Sequence, residues 1–391
     1  MNNEAVDLAS TEPSPARLAF EKLLRRMVDE NASDMFLTVG AVPTLKVEGR
    51  MLNLGSARLE PGSVKRLAQA IMSRHDTRTF EKALEWDMAL HLDQLGRFRV
   101  NVYVQRGEVS MVVRHVRDRI APLAELRLPK VIEQIAMLRQ GLVLVVGAAG
   151  AGKSTTIASL LDHRNHSAPG HILTIEDPIE FLHKHDKCII DQREVGLDTH
   201  SFHEALRHAL REAPDVIMIG EIRDVETMRH ALHFAETGHL CVSTLHANSA
   251  SQAFDRILNF FPEIAHRQVL MDLSMNLQAI VALRLLQDNH AKRRVPATEI
   301  MLASSYISQL IQRGEIDQIR TAISRSAPVG MHTFDQSLYD LYQEGAVTLE
   351  QALEHADSRT DLSLRIRLAG PAGPAGIEVE SHLQPMGGAP A

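Results

Sequence analysis

Residues Gly147-Ala148-Ala149-Gly150-Ala151-Gly152-Lys153-Ser154-Thr155 follow an apolar run at 142–146 and lead into a segment of helical character. The spacing G-x-x-x-x-G-K-S suits one chemistry, the cradling of a phosphate chain. Every residue from 147 to 152 is Gly or Ala, so side chains leave room for the anion. Consecutive backbone N–H groups then face it, and the helix adds the positive end of its dipole. Lys153 is expected to reach the outer phosphates, and the Ser154 hydroxyl to hold Mg²⁺. A chance match in a Gly/Ala-rich loop is the bland alternative, and the strand, loop and helix order speaks against it.

Three further segments carry chemistry. Thr174-Ile175-Glu176-Asp177-Pro178-Ile179-Glu180-Phe181 places three carboxylates just past a buried strand. Hydrolysis of a nucleotide needs a group to orient the attacking water and acceptors around Mg²⁺. Asp215-Val216-Ile217-Met218-Ile219-Gly220-Glu221 is an apolar run leading to an acid, as on the magnesium side of a phosphate-loop NTPase, with Glu221 where Asp is commoner. In the segment 236–248, His239 and His246 bracket another apolar strand and are candidates to hydrogen-bond a terminal phosphate. A zinc ion shared by the two is disfavoured, because seven residues of extended chain hold the rings apart. Arg97, Arg99 and Arg114 lie on neighbouring strands of the first part of the chain. Such arginines are most often solvated charges, but in an oligomeric NTPase they can complete a transition-state clamp.

The elements that must position these groups fall into two sets. Ser14 is expected to cap a helix with Leu18, Phe20, Leu23, Leu24, Met27 and Val28 on its apolar face. Strands are expected at 35–39, 44–47, 51–54, 97–104 and 110–116, with a helix at 64–72. These make a small α+β domain over 14–117, followed by a linker at 118–124 punctuated by Pro122. The second domain, 125–368, alternates strands at 142–146, 172–175, 216–219 and 240–244 with helices from Lys153 and over 225–235. Alternation of this kind implies an α/β fold, a mostly parallel sheet with helices on both faces and ligands at the carboxyl ends of the strands. From Phe254 the pattern reads as helical, through 270–286 and 305–313. Residues 1–13, and the Gly-, Pro- and Ala-rich stretch 369–391, are expected to be disordered.

Composition sets outer bounds. A chain of 391 residues suggests two domains. Its net charge of −7 argues against a generic nucleic-acid coat. Cys188 and Cys241 form no C-x-x-C pair, which suits a reducing cytoplasm. The first residues lack the apolar core of a signal peptide, and no apolar run has the length of a membrane span, so no direct membrane insertion is expected.

The four motifs together resemble those of the secretion-superfamily hexameric ATPases, and within them the retraction ATPases of type IV pili, the PilT/PilU family. The phosphate loop looks like their Walker A, 174–181 like their aspartate box, 220–224 like their atypical Walker B, and 238–246 like their histidine box. The similarity covers roughly residues 14 to 365 and includes 192–199 and 205–215. The segments 239–248, 272–281 and 331–339 look like the PilU branch. One departure is Ala149 and Ala151, where the family has hydroxyl residues.

The resemblance implies a RecA-like ATPase domain behind a PAS-like one, in a ring of six that uses ATP and Mg²⁺. It assigns Lys153 and Ser154 to phosphates and metal, Glu180 to catalysis and Glu221 to the magnesium side. Glu176 and Asp177 join the nucleotide site. His239 and His246 become sensors of nucleotide state, and Arg99 and Arg114 the arginines that the first domain brings to the nucleotide. The four-cysteine zinc motif of the extension ATPase is absent. The implied role is an accessory retraction motor acting with a PilT-like ATPase on an inner-membrane platform protein of the PilC type, peripheral to that membrane from the cytoplasm. The alternative is a low-turnover nucleotide-binding regulator or scaffold of the PilT motor.

Overall fold

Ser14 starts the first helix by accepting the Arg17 N–H on its hydroxyl, with Pro15 at a position where its missing N–H costs nothing. The computed structural model describes residues 14–47, 49–92, 95–116, 119–290, 294–326 and 329–368. The stretches 1–13 and 369–391, expected to be disordered, lie outside the described residues, as do 117 and 118 where the first domain was expected to end.

Helix α1 (Pro15–Asp29) buries Phe20, Leu24 and Met27. Leu18, read as part of that face, is instead 45% exposed. Six strands follow: β1 (Asp34–Thr38), β2 (Thr44–Val47), β3 (Arg50–Asn53), β4 (Glu85–Leu92), β5 (Gly96–Gln105) and β6 (Glu108–Val116), with α2 (Ser63–Ile71) and α3 (Arg74–Ala83) between β3 and β4. They form one antiparallel sheet in the order β3-β2-β1-β6-β5-β4. On β5 the alternation of a strand decides the function of each face. Phe98, Val100 and Val102 are buried with the helices. Arg97 and Arg99 therefore point the other way, and Arg114 on β6 is the register partner of Arg99.

The second sheet has seven strands in the order β13-β12-β7-β11-β10-β8-β9. They are β7 (Gly141–Val146), β8 (Gly170–Glu176), β9 (Cys188–Glu194), β10 (Val216–Ile219), β11 (Leu240–Leu245), β12 (Leu277–Gln287) and β13 (Arg294–Leu302). All neighbours are parallel except β12 and β13. The helices are α4 (Val131–Ala136), α5 (Lys153–Ser167), α6 (Phe202–Ala209), α7 (Val225–Glu236), α8 (Ala250–Leu258), α9 (Glu263–Asn276), α10 (Ser305–Arg313), α11 (Ile319–Arg325), α12 (Phe334–Gln343), α13 (Leu349–Glu354) and α14 (Arg359–Leu368).

Both faces of this sheet are covered, which is why β7 and β10 read as unbroken apolar runs and β11 is apolar except at Ser243 and Thr244. Val143 and Val145 pack toward Ile132, Ile157 and Leu160 of α4 and α5. Leu142, Leu144 and Val146 pack toward the layer containing Met228, Leu232, Phe254 and Ile257 of α7 and α8. The α/β class with a small α+β unit ahead of it is as expected. The helical reading of 270–286 is corrected: α9 stops at Asn276, and Leu277 begins strand β12. β12 is buried on both faces, so its residues carry no period that separates strand from helix. Among the described residues no helix is long and apolar enough to cross a membrane.

Candidate nucleotide site

The carboxyl ends of β7, β8, β10 and β11 deliver Gly147, Asp177, Gly220 and His246 to one edge of the parallel sheet. At Gly147 a Cβ would stand 2.8 Å from the Leu283 carbonyl oxygen and 2.8 Å from the Ala151 Cβ, so only glycine lets the loop leave β7 there. Gly152 has φ +96°, the left-handed turn from which α5 starts. Ala151 is buried in the core beneath the loop, whereas Ala149 and Gly150 line a cavity of about 260 Å³ together with Lys153 and Ser154. Gly147 and Ala148 line the adjoining cavity beside His246. Lys153 is buried, and its Nζ donates to the carbonyls of Gly147 at 2.8 Å and Ala148 at 3.1 Å. Burial lowers its pKa, while Glu221 and Glu180 oppose that shift.

The acids take different positions around this cavity. Glu176 is 7% exposed. Its Oε1 accepts hydrogen bonds from the Thr174 hydroxyl at 2.7 Å and Gln192 Nε2 at 3.1 Å. Burial raises its pKa, against those bonds and one from the Glu180 N–H. Glu176 thus ties the turn to β9, and it lines the cavity together with Asp177 and Glu180. Glu221 Oε1 lies 3.0 Å from His246 Nε2, and its Oε2 accepts Arg223 Nε at 2.8 Å. Arg223 also stands 3.8 Å from Asp177. Hydroxyls of Ser243 and Thr244 donate to the carbonyls of Ile219 and Gly220 at 2.8 and 2.7 Å, locking β10 to β11 where these groups emerge.

His239 is not part of this constellation. It precedes β11, so it sits at the amino end of the sheet, where its carbonyl accepts the Gly141 N–H. Its Nδ1 lies 3.3 Å from the Phe234 carbonyl and 3.1 Å from the Thr237 hydroxyl. A six-residue strand of roughly 20 Å separates it from the phosphate loop, which corrects its assignment to the nucleotide site of this chain. The same separation removes a zinc ion shared with His246.

A second cavity, about 310 Å³, lies between the two sheets and is lined by Arg97, Arg99, Arg114, Thr155, Glu180 and Glu194 among others. Glu180 lines both cavities. The expected arginines Arg99 and Arg114 therefore share a cavity with Glu180 and with Thr155 at the end of the phosphate-loop segment. Arg114 Nε holds Asp34 at 2.9 Å, and Arg99 lies 3.7 Å from Asp87. Arg97 pairs with Glu194 at 2.9 Å, and the same Glu194 oxygen accepts the Ile179 N–H at 3.3 Å. Burial raises the Glu194 pKa and Arg97 pulls it back. Sequence reasoning assigned no role to Gln192 or Glu194. The signal was their place in the segment 192–199, but β9, which carries them beside the acidic turn, has no distinctive pattern.

The donor set fits Mg²⁺. Ser154 and Glu221 offer hard oxygen atoms on one cavity. Among the described residues no three His, Cys, Asp or Glu side chains are grouped to cage an ion. Mg²⁺ needs only one or two protein donors beside phosphate oxygens and water.

The type II/IV secretion system protein family matches residues 10–361 of the chain. The type IV pilus ATPase PilU of Pseudomonas aeruginosa is 48% identical over 351 residues, 90% of this chain and 92% of that protein. The type IV pilus retractation ATPase PilT of the same organism is 40% identical over 86% of this chain and 97% of its own length. The crystal structure of the pilus retraction motor PilT with bound ADP matches with a TM-score of 0.82 at 40% identity, covering 88% of this chain and 98% of that one. The Legionella pneumophila ATPase DotB, at 23% identity, shares the fold with a TM-score of 0.72 over 90% of this chain and 96% of its own.

Proposed function

Because the chain belongs to the type II/IV secretion system protein family, we propose that it hydrolyses ATP to drive type IV pilus retraction, as a PilU-like motor beside a PilT-like one. The observation that carries this reading is the position of Glu180, shared between the phosphate-loop cavity and the arginine-lined one.

In this reading the N–H groups of residues 148–153 bind the phosphates, and Lys153 exchanges its two loop carbonyls for outer phosphate oxygens. Mg²⁺, held by Ser154 and Glu221, supplies neutralisation of phosphate charge when bound. Glu180 orients a water molecule and takes its proton as the water attacks the terminal phosphorus, leaving ADP and phosphate. Arg99 and Arg114 meet the negative charge that builds on the departing group. His246 and Arg223 hold the Glu221 carboxylate in place. Loss of the terminal phosphate removes an anion from between the two sheets, and the domains 14–117 and 125–368 shift against each other. In a ring of six this motion is passed through an inner-membrane platform protein of the PilC type to the pilin, from the cytoplasmic face.

Ala149 and Ala151 favour a second reading, a low-turnover regulator of the PilT motor, because they remove loop hydroxyls. Phosphate release by the purified full-length protein with Mg²⁺, beside a Glu180→Gln control, separates the two. Turnover lost in the control supports the motor. Tight nucleotide binding with no turnover in either supports the regulator.

A further inference from the structure

We propose that Arg284 and Glu299 are positioning residues that hold the loop carrying His246 against Glu221. This rests on the nucleotide-site reading above and adds two side chains that do not line that cavity.

The segment 246–249 joins β11 to α8 without regular structure. Two anchors fix it, and both come from beyond β7. Arg284 on β12 donates from Nη2 to the Asn248 carbonyl at 3.3 Å. Glu299 on β13 accepts the Ala250 N–H on Oε1 at 2.7 Å. Ala250 is the first residue of α8, and the cap Ser249 takes the Gln252 N–H instead, so Glu299 satisfies an N–H that the helix leaves unpaired. Glu299 is 2% exposed. A carboxyl so buried is unfavourable unless its acceptor is used.

Arg284 is itself held from the C-terminal helices. Its Nη1 donates to the His355 carbonyl at 2.7 Å, its Nη2 meets Asp357 at 2.6 Å, and its guanidinium lies 3.8 Å from the centre of the Phe334 ring. The Asp357 N–H donates to Asp335 at 2.8 Å, and Asp335 pairs with Arg320 of α11. A chain of polar contacts thus runs from α11 and α12 through Arg284 to Asn248, two residues from the imidazole that meets Glu221. A displacement of those helices is delivered to His246.

The test uses full-length Glu299→Ala, Glu299→Gln and Arg284→Met proteins, each also with His246→Ala, with kcat, KM and hydrogen exchange of the peptide around 246–252 as readouts. Glu299→Ala should lower kcat by about tenfold with KM within about twofold, and the peptide should exchange faster. Glu299→Gln, whose amide oxygen still accepts the Ala250 N–H, should keep kcat within about threefold. In the His246→Ala background Glu299→Ala should change kcat by less than about twofold, since both act through one imidazole. Additive losses in that background would overturn the proposal, as would Glu299→Gln damage equal to that of Glu299→Ala. If Glu299→Ala does not fold, Arg284→Met carries the same cycle. If the wild type shows no turnover, the motor reading fails, and the exchange of 246–252 alone decides whether the anchors hold the loop.

Discussion

Arg97 of the antiparallel sheet and Glu194 of the parallel sheet stand 2.9 Å apart, and the Glu194 oxygen they share also accepts the N–H of Ile179, the neighbour of Glu180. One ion pair therefore spans the two sheets and supports the turn that carries the proposed catalytic acid. The two side chains are 20% and 9% exposed, so removing one partner leaves the other charge poorly solvated. Arg97→Ala should destabilise the protein by about 1–3 kcal/mol, and Arg97→Ala with Glu194→Gln should recover part of that. Denaturant unfolding of the wild type, Arg97→Ala, Glu194→Gln and the double variant measures it. An unchanged midpoint in Arg97→Ala would show that the pair is no stronger than a surface contact.

Glu180 and Glu176 are four residues apart and differ in surroundings. Glu180→Gln keeps the size of the side chain and removes its base, so turnover should fall on the order of a hundredfold while nucleotide affinity persists. Glu176 is buried on Thr174 and Gln192. Glu176→Gln keeps an acceptor for both and should retain turnover within about tenfold. Single-turnover assays with nucleotide titrations compare them, and the reverse pattern would reassign the catalytic acid.

Arg99 and Arg114 share one cavity with Glu180 of their own chain. The double variant Arg99→Ala/Arg114→Ala should lose turnover on the order of a hundredfold, with nucleotide binding retained. Rings mixed from this variant and Lys153→Ala subunits should then be inactive, because no chain has both halves of a site. Recovered activity in the mixture would place the arginines on a neighbour's nucleotide.

Burial pushes the Glu299 carboxyl up to about 7 in the folded protein, with Asp357 adding to the shift and Arg284 and Arg320 opposing it. The unfolded chain has the lower, ordinary carboxylate value, so between about pH 4.5 and 7 the native state binds the extra proton. Glu299 therefore supports stability below the unfolded value, and that contribution is lost as pH rises through about 7. Glu299→Gln should flatten this part of the stability–pH curve, by on the order of 3 kcal/mol at most. Thermal unfolding of both proteins at pH 5 and pH 8 checks it, and parallel curves would refute it.

The phosphate loop was legible because its chemistry is local: Gly147, Gly152, Lys153 and Ser154 act through backbone shape and a helix start, which neighbours in sequence determine. The apolar runs at β7 and β10 were legible too, since burial on both faces excludes polar residues from them, and β11 departs only at Ser243 and Thr244, whose hydroxyls are satisfied by the carbonyls of Ile219 and Gly220. The same physics hid β12: it is buried on both faces, and its few polar residues, Gln278, Arg284 and Gln287, do not alternate with apolar ones. Alternation of strands and helices pointed to the carboxyl ends of the strands as the ligand edge, and the tertiary structure decided which groups stand there. His239 and His246 look equivalent in sequence, yet parallel pairing of β11 with β7 sends one to the phosphate loop and the other to the far edge. It also decided the partners of Arg97, Arg284 and Glu299. Their contacts lie 97, 36 and 49 residues away along the chain, and such distant charges meet only when two sheets and a helical layer have packed.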